Sequence, residues 1–549
     1  MQPWRRKFVS PAPEPGKSHR APAKRVMMVR MDPATRARAR RPFSATATVA
    51  VLAVAALTVG MLLLFAGRDG YHRDELYFLE ATHHLAFGYV DQPPLSVVMI
   101  LFSRLAVGNS PFGIRIIPAL VDGGLVVTGA AIARQLGGGR FAQLFAALCT
   151  AVGGYIVAAH LSGPTIYDAL AWAVASYLII RVLRTGDERL WLAVGAVVGV
   201  GLEAKHTILF LLLGAAIGLV VNGRARLLRS PWLWAGAGLA VALWLPNLVW
   251  EAVHAWPTLE MDRNLRAEHS GLGFVFTFPF LQLLLPNPFL APVWIAGLWG
   301  LWRDEAFRAF RAFAVAYAVL FVLLLVVIPD RPYYLAPLYV VPTAAGAVII
   351  EGGVEGRRRL FSARAPGRRL LWRSRGVAVA WTLVALVVLL PIALPVLPPA
   401  ALAKVPLQNV NYNLGETVGW PQFAAAVASV YRSIPTAERS TAVIFTSNYG
   451  EAGAVDRYGP DLDLPGAFSG HNSYWWWGPP RPEGGRSTTV VVGGYPRSYL
   501  LRFFSNVRLA ATFRNPWDLE DDEEGQLIWI CSGQREPWSS LWPSLRHYD

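Results

Sequence analysis

Long apolar segments recur along the chain, and they limit its fold more than any other feature. A helix needs roughly 20 apolar residues to cross the hydrocarbon core of a bilayer. Runs near this length lie at residues 44–66, 113–133, 141–160, 164–181, 190–204, 206–222, 231–250, 280–302, 312–329, 334–350 and 376–398. With 54% hydrophobic residues and a mean hydropathy of +0.37, the sequence predicts a polytopic α-helical membrane protein with about eleven spans.

Arginines are concentrated in alternate loops, which predicts the orientation. A net charge of +15 would by itself suit nucleic acid, but the cations crowd the first 41 residues and a few short loops. These loops carry Arg134 and Arg140; Arg181, Arg184 and Arg189; Arg224, Arg226 and Arg229; Arg303, Arg308 and Arg311; and the run from Arg357 to Arg375. The positive-inside rule places them in the cytoplasm, so residues 67–112 and everything after about 399 are predicted outside. No nucleic-acid partner is expected.

Composition divides the chain into three predicted regions. Residues 1–43 form a basic cytoplasmic tail with the composition of a disordered segment and no cleavable signal, and residues 44–398 form the membrane domain. Residues 399–549 alternate strand-like runs (TAVIFTS, STTVVVGG, GQLIWICSG) with helical ones (WPQFAAAVASVYRSI, PRSYLLRFF). This alternation predicts a small extracytoplasmic α/β domain. Cys149 and Cys531 are the two cysteines, so neither a disulfide framework nor a cysteine metal site is predicted.

Polar residues gather at the predicted outer ends of the spans. They are Asp74, Glu75, Tyr77, His83, His84 and Asp91; His160, Thr165, Tyr167 and Asp168; Glu203, Lys205 and His206; Glu251, Arg263 and Arg266; and Asp330, Arg331, Tyr333 and Tyr334. Ionisable residues at span ends usually face a cavity and function there. Acids and cations in one cavity suit a reaction that deprotonates a nucleophile and stabilises an anionic leaving group.

Simpler interpretations of these residues stay open. Asp74 and Glu75 also fit a solvated loop, and Asp168 fits a carboxylate at a helix N-terminus. Lys205 is the only lysine between Lys24 and Lys404, but it could extend to the membrane interface. The histidines fit interfacial packing better than a metal site, because no ligand spacing unites them, and no metal site is predicted.

Several segments resemble the GT-C glycosyltransferases of the protein O-mannosyltransferase and lipid A aminoarabinose transferase type, closest to their bacterial family-39 branch. In order they are Asp-Glu-x-Tyr with GYVDQPPL, FGIRIIPAL, GPTIYDALAW, GVGLEAKHTILF, LLLPNPFLAPVWIAGL and DRPYYLAPLY, over roughly residues 70–345. The resemblance implies a multi-pass enzyme of the bacterial cytoplasmic membrane. It would move a sugar, with inversion, from a polyprenyl-phosphate donor to a hydroxyl of an acceptor glycan, lipid or protein at the outer face. It implies no required cofactor and is compatible with a divalent cation.

The resemblance also implies roles for individual residues. Asp74 corresponds to the general base, with Glu75 beside it, and Asp168 to a second acid of the catalytic group. The donor-phosphate residues would be Lys205, Arg331 and Tyr334, with Arg263 and Arg266 in a closing loop, while Tyr77, Asp91, Gln92 and Tyr333 would line the substrate site. Gln92 departs from relatives that have histidine or lysine before Pro-Pro.

Two other classes of protein compete with this interpretation. A transporter or lipid-carrier flippase would show symmetric halves and charges near the bilayer midplane, and a non-catalytic scaffold would not need Asp74, Asp168 and Lys205 together. The segment SGHNSYWWWGPP, residues 469–480, could offer ring faces to an acceptor glycan. Its aromatic residues also fit anchoring at the membrane interface or packing in the domain core.

Overall fold

The computed structural model describes residues 45–268, 272–354, 375–519 and 521–549. The predicted tail of residues 1–43 and most of the arginine run from Arg357 to Arg375 lie outside the described residues. Helices dominate the chain up to about residue 393, and a five-stranded sheet lies between residues 443 and 534.

Within the described residues, six helices are long and apolar enough to cross a membrane, rather than the eleven predicted. They are Ala47–Ala66, Pro111–Gln135, Pro164–Thr185, Pro231–Val253, Pro332–Gly353 and Arg375–Ala393. The pair Gly273–Leu284 and Pro288–Arg303, bent by 73°, makes a seventh if it is counted as one span.

The other predicted runs form helices that are too short. Leu190–Leu202, Ile208–Val221 and Ala312–Val327 contain 13, 14 and 16 residues. At 1.5 Å per residue they rise roughly 20–24 Å, less than the ~30 Å hydrocarbon core. The run at 141–160 breaks into two helices around Gly153 and Gly154. Apolar composition therefore predicted where these helices lie but overestimated the number of full spans.

The helices are numbered here in chain order. The first group is α1 Ala45–Ala66, α2 Arg73–Ala81, α3 Leu95–Val107, α4 Pro111–Ile114, α5 Ile116–Gln135, α6 Arg140–Ala151, α7 Tyr155–His160, α8 Pro164–Thr185, α9 Leu190–Leu202, α10 Ile208–Val221, α11 Pro231–Val253 and α12 Pro257–Glu268. The second group is α13 Leu272–Leu284, α14 Ala291–Arg303, α15 Ala312–Val327, α16 Val340–Val354, α17 Arg375–Ala393, α18 Pro399–Leu402, α19 Trp420–Arg432, α20 Thr436–Arg439, α21 Tyr449–Tyr458, α22 Asn472–Trp476, α23 Arg497–Leu500 and α24 Trp538–Leu541.

The C-terminal sheet is mixed. Its strands are β1 Val443–Thr446, β2 Ala467–Ser469, β3 Thr489–Val492, β4 Phe504–Thr512 and β5 Leu527–Gln534, in the order β2-β1-β3-β5-β4. β1 pairs in parallel with β2 and β3, while β5 is antiparallel to both β3 and β4. β1, β3 and β5 coincide with the three strand-like runs of the sequence.

The loop after α1 and the C-terminal region share one hydrophobic core. Tyr77 and Phe78 of α2 pack in the same buried cluster as Trp420 and Phe423 of α19. Helices α2 and α21 approach closely at Gly453, where an added Cβ would lie 2.8 Å from the backbone carbonyl carbon of Leu76. The C-terminal region therefore packs directly against the helix that begins with Asp74.

Candidate active site

Asp74 occupies the first turn of α2, and the local sequence explains its position. His72 is the N-cap: its Nδ1 accepts a hydrogen bond from the Asp74 backbone N–H, and Glu75 completes a capping box. The N-terminus of a helix stabilises negative charge. Burial lowers the pKa of His72, so this ring is neutral near pH 7. The neighbouring imidazole therefore does not neutralise the Asp74 carboxylate.

The Asp74 carboxylate is accessible and is held from the C-terminal region. Its side chain is 44% exposed, and its Oδ1 accepts a hydrogen bond of 2.9 Å from the Tyr449 hydroxyl. Tyr449 is the first residue of α21 and packs its ring 4.9 Å from that of Tyr77. The carboxylate thus has a fixed position and an open side, which are two requirements of a general base.

Glu75, adjacent in sequence, lies in the opposite environment. It is 1% exposed and forms a bidentate ion pair with buried Arg115, at 2.9 Å from Nε to Oε1 and 2.7 Å from Nη2 to Oε2. The backbone N–H groups of His72 and Ser162 also donate to it. Its oxygens are therefore occupied by protein donors, and the structure does not offer this carboxylate to a substrate, contrary to the catalytic role predicted for it.

Two cations and two tyrosines form a second cluster, defined by Lys205, Arg331, Tyr333 and Tyr334. The Lys205 ammonium lies 4.8 Å from the Tyr333 ring centroid and 5.0 Å from that of Tyr334. Arg331 donates from Nη1 to the Tyr334 hydroxyl at 2.8 Å. Its buried Nη2 has no hydrogen-bond partner among the described residues. This cation–phenol cluster suits an anion such as phosphate.

Asp168 lies behind this cluster. It sits one turn into α8, is 2% exposed and accepts hydrogen bonds from Thr207 at 2.6 Å and from Trp172 at 3.1 Å. Thr207 follows Lys205 by two residues, so this hydrogen bond links α8 to the Lys205 segment. Asp168 is placed to position the Lys205 segment, whereas its burial separates it from the exposed Asp74 carboxylate.

Tyr412 links the two halves of the site. Partial desolvation, and then the charges of Asp74 and Tyr333, raise the pKa of the Tyr412 phenol. The residue as a whole keeps 67% of its surface exposed. The Tyr412 phenol therefore lies within electrostatic range of both Asp74 and Tyr333. Asp74 and the cation–phenol cluster therefore share Tyr412 as a neighbour.

The remaining predicted residues divide into lining and peripheral positions. Tyr77 donates to Asp91 at 2.8 Å, and burial raises the pKa of Asp91 to about 7. Gln92 is 3% exposed, and neither atom of its amide has a partner among the described residues. Arg263 and Arg266 are exposed on α12. Arg266 pairs with Asp262, which also binds Arg331 at 2.8 Å.

The aromatic segment near residue 475 packs largely against protein. Tyr474 is buried and donates to Asp456 at 2.7 Å, and the ring of Trp477 stacks 4.4 Å from that of His84. Trp476 retains 37% exposure. Packing thus accounts for most of the ring faces that the sequence suggested for a glycan.

Comparison with known proteins adds to this geometry. Residues 91–250 match the family model described as dolichyl-phosphate-mannose-protein mannosyltransferase. ArnT from Cupriavidus metallidurans in the apo state is similar at 16% identity and a TM-score of 0.52, over 88% of this chain and 97% of ArnT. The structure of the same protein bound to undecaprenyl phosphate is similar at 17% identity and a TM-score of 0.52, over 89% of this chain and 98% of ArnT. An oligosaccharyltransferase from Archaeoglobus fulgidus has 13% identity and a TM-score of 0.41, over 73% of this chain and 62% of its own. None of the curated proteins matches in sequence.

The chain has the fold of ArnT. This finding and the family match confirm the resemblance to GT-C transferases drawn from the sequence.

The residues that complete this site from a distance are not evident in the sequence. Tyr449 lies 375 residues from Asp74, and neither the local periodicity nor a motif connects the two. Asp262 lies beside Arg263, but nothing in the sequence distinguishes it from the other charges of its segment. Arg115 lies within FGIRIIPAL, a segment used for the resemblance, but the pattern did not reveal that it pairs with Glu75.

Proposed function

We propose that the chain is a glycosyltransferase that moves a sugar from a polyprenyl-phosphate donor to an acceptor hydroxyl, with Asp74 as the general base. Asp74 takes the hydroxyl proton as the acceptor oxygen bonds to the anomeric carbon. The bond from that carbon to the phosphate oxygen breaks, and polyprenyl phosphate leaves with the electron pair. Attack from the face opposite the phosphate inverts the anomeric centre.

The observation that carries the proposal is the pairing of an accessible carboxylate with a cation–phenol cluster. Asp74 has an open side, while Lys205 and Arg331 flank Tyr334. The Tyr412 phenol is within electrostatic range of Asp74 and of Tyr333 in the cluster. A base and a phosphate site bordering one region are what displacement at a glycosyl phosphate requires.

The membrane setting is part of the proposal. The arginine-rich loops would face the cytoplasm and the site the outer face of a bacterial cytoplasmic membrane, with the C-terminal region outside. A lipid tail could lie along the apolar helices while its phosphate reaches Lys205. The ArnT structure bound to undecaprenyl phosphate supports a lipid-linked donor.

The test is transfer by full-length protein in detergent or vesicles, using a panel of labelled polyprenyl-phosphate sugars. Asp74→Asn keeps the size and polarity of the side chain but removes its basicity, so turnover should fall about 10²–10⁴-fold while donor binding persists. Glu80→Gln, on the other face of α2, is the matched control and should remain active. Wild-type turnover by folded Asp74→Asn would refute the assignment of the base. Bilayer crossing of the donor without transfer would favour a flippase instead.

A further inference from the structure

The loop between α2 and α3, residues 82–94, covers a part of α11 that the neighbouring helix α9 leaves uncovered. Gly195 of α9 lies against Gly236 of α11. Four residues later in each helix, Gly199 lies against Ala240. The two helices therefore run parallel. α9 ends within one turn of this contact, whereas α11 continues for roughly 15 Å beyond that level.

The loop packs along this last part of α11. The side-chain amide of Asn247 donates from Nδ2 to the Phe87 backbone oxygen at 2.9 Å. Gly88 lies so close to the Trp250 ring that there is no room for a Cβ. Asn247 and Trp250 both precede the end of α11, so the loop lies beside the helix rather than above its last residue.

The end of α9 sets the depth of the loop in the membrane. The backbone N–H of Leu95, the first residue of α3, donates to the Glu203 backbone oxygen directly after α9, at 2.9 Å. α9 begins just after the span Pro164–Thr185 ends, so its first turn lies at the opposite surface. It rises roughly 20 Å, about 10 Å less than the hydrocarbon core of a bilayer. A loop that lies on its end therefore falls within the thickness of the bilayer.

The loop is apolar on the outside and hydrogen-bonded within, as this depth requires. Leu85 and Phe87 keep 59% and 64% of their surface exposed. The buried Tyr89 hydroxyl accepts from the Ala86 N–H and can donate to the His84 oxygen, both at 3.3 Å, and α11 occupies the Phe87 oxygen. Backbone polar groups are costly to leave unpaired in hydrocarbon. The loop thus supplies partners for its own backbone and turns large apolar side chains outward.

Aromatic side chains cluster at the same end of α11. The Trp250 ring stacks on that of His254 at 4.2 Å, and Trp476 of the C-terminal region packs against His254 at 4.6 Å. Trp256 and Trp476 are both partly exposed. Indole rings favour the boundary between hydrocarbon and water. These rings therefore mark the level of the bilayer surface next to the loop.

We propose that residues 84–88 enter the surface of the bilayer and that Leu85 and Phe87 contact the acyl chains of its lipids. The position of the loop on α9 and beside α11, which are both helices of the membrane domain, favours bilayer lipid over a protein partner. The contact goes beyond the proposed transfer reaction and does not depend on it. It would hold at lipid depth the segment that leads to Asp91, and so fix the candidate active site against the bilayer.

Lipid-borne quenchers test the contact without any assay of transfer. Leu85→Cys and Phe87→Cys are labelled with bimane in the full-length protein, whose native cysteines are buried. Each is reconstituted in phosphatidylcholine vesicles with or without bromine near the top of the acyl chains. Ala437→Cys, exposed among the polar residues of α20, is the control. We expect brominated lipid to reduce the emission of the loop labels alone, and aqueous iodide to reduce that of the control alone.

Every pattern of quenching decides the proposal. Lipid quenching of either loop label with the control unchanged supports it, so one variant suffices if the other fails to fold. Quenching of the loop labels by iodide alone would overturn it, because the loop would then lie in water. Labels that neither quencher reaches would overturn it too, and would indicate that protein, such as a second copy of this chain, covers the loop.

Equal lipid quenching of the Ala437→Cys label would also overturn the proposal, since the contact would then not be particular to the loop. A protein that shows the expected quenching but transfers no sugar would contradict the proposed function alone.

Discussion

Tyr449 is the residue through which the C-terminal region reaches the proposed base. Its hydroxyl donates 2.9 Å to Asp74, and its ring packs near Tyr77 and His471. Tyr449→Phe keeps the ring and removes the donor. A hydrogen bond to a charged group is worth about 1.5–3 kcal/mol, so we expect turnover to fall roughly 10- to 100-fold with little change in donor affinity.

Tyr458→Phe, on the same helix, provides the control for Tyr449→Phe. The turnover number and the donor affinity should be measured separately for each of the two variants. An equal effect of both substitutions on turnover would show that α21 is merely sensitive to change, and would remove Tyr449 from the positioning of Asp74.

Lys205 provides a charge test of the donor site. It lies against the rings of Tyr333 and Tyr334, so Lys205→Met retains most of its packing and removes the ammonium. Loss of one charge-assisted contact to phosphate should weaken donor use by about one to two orders of magnitude. Lys404→Met, at an exposed lysine, should leave donor kinetics unchanged. If Lys205→Met altered protein yield alone, the residue would be an interfacial lysine.

The sequence suggests candidate residues for this site, but it does not predict the environment of each side chain. Asp74 and Glu75 are adjacent acids, and the resemblance selected both. The capping box turns Glu75 inward to Arg115, while Asp74 remains exposed. Which carboxylate faces solvent depends on an arginine 40 residues away. The identities of two adjacent residues in one motif do not show this dependence.

At the scale of elements, Arg115 joins several segments. It donates to Ala66 O and Gly70 O at 2.9 Å while pairing with Glu75, so it ties α1 and its following turn to α2. Removing one partner of a buried ion pair costs about 3–5 kcal/mol. Glu75→Gln should therefore lower the apparent melting temperature in detergent, together with activity.

Thermal melting curves, measured together with transfer assays, distinguish a structural role of Glu75 from a catalytic one. The control is Glu80→Gln, which removes a half-buried acid from the same helix. A Glu75→Gln protein that melts like wild type but transfers no sugar would show that Glu75 has a catalytic role.

Helix positions could be predicted well and helix lengths less well, for one physical reason. Apolar composition measures burial, and a helix buried inside the helical assembly is as apolar as one that faces lipid. Leu211 of α10 and Leu320 of α15 are fully buried, so these short helices contribute to the core without the length of a span. The contact of α2 with α21 joins segments that are distant in sequence, and no local sequence pattern predicts it.

At the scale of the whole molecule, buried acids predict a pH dependence. Burial raises the pKa values of Asp91 and Asp456 to about 7, above those of the unfolded chain. The folded state therefore holds these protons more tightly, and the resulting stability is lost as pH rises through about 7. We expect the apparent melting temperature to fall between about pH 6 and pH 8.

Asp91→Asn and Asp456→Asn should each flatten that dependence, because an amide does not titrate. Melting curves collected across this range with both variants and wild type provide the check. A wild-type melting temperature that rises with pH would contradict the assignment.

The core shared by α2 and α19 has a consequence for the order of assembly. Phe78 of α2 and Trp420 of α19 belong to the same buried cluster, but the ribosome makes the first long before the second. At about 5–20 residues per second, the ~340 intervening residues take roughly 17–70 s. For that time α2 lacks its C-terminal packing partners, and Asp74 lacks Tyr449. A nascent chain interrupted before residue 420 would thus bear the carboxylate without the hydroxyl that orients it, and activity would first appear only after Tyr449 has been made.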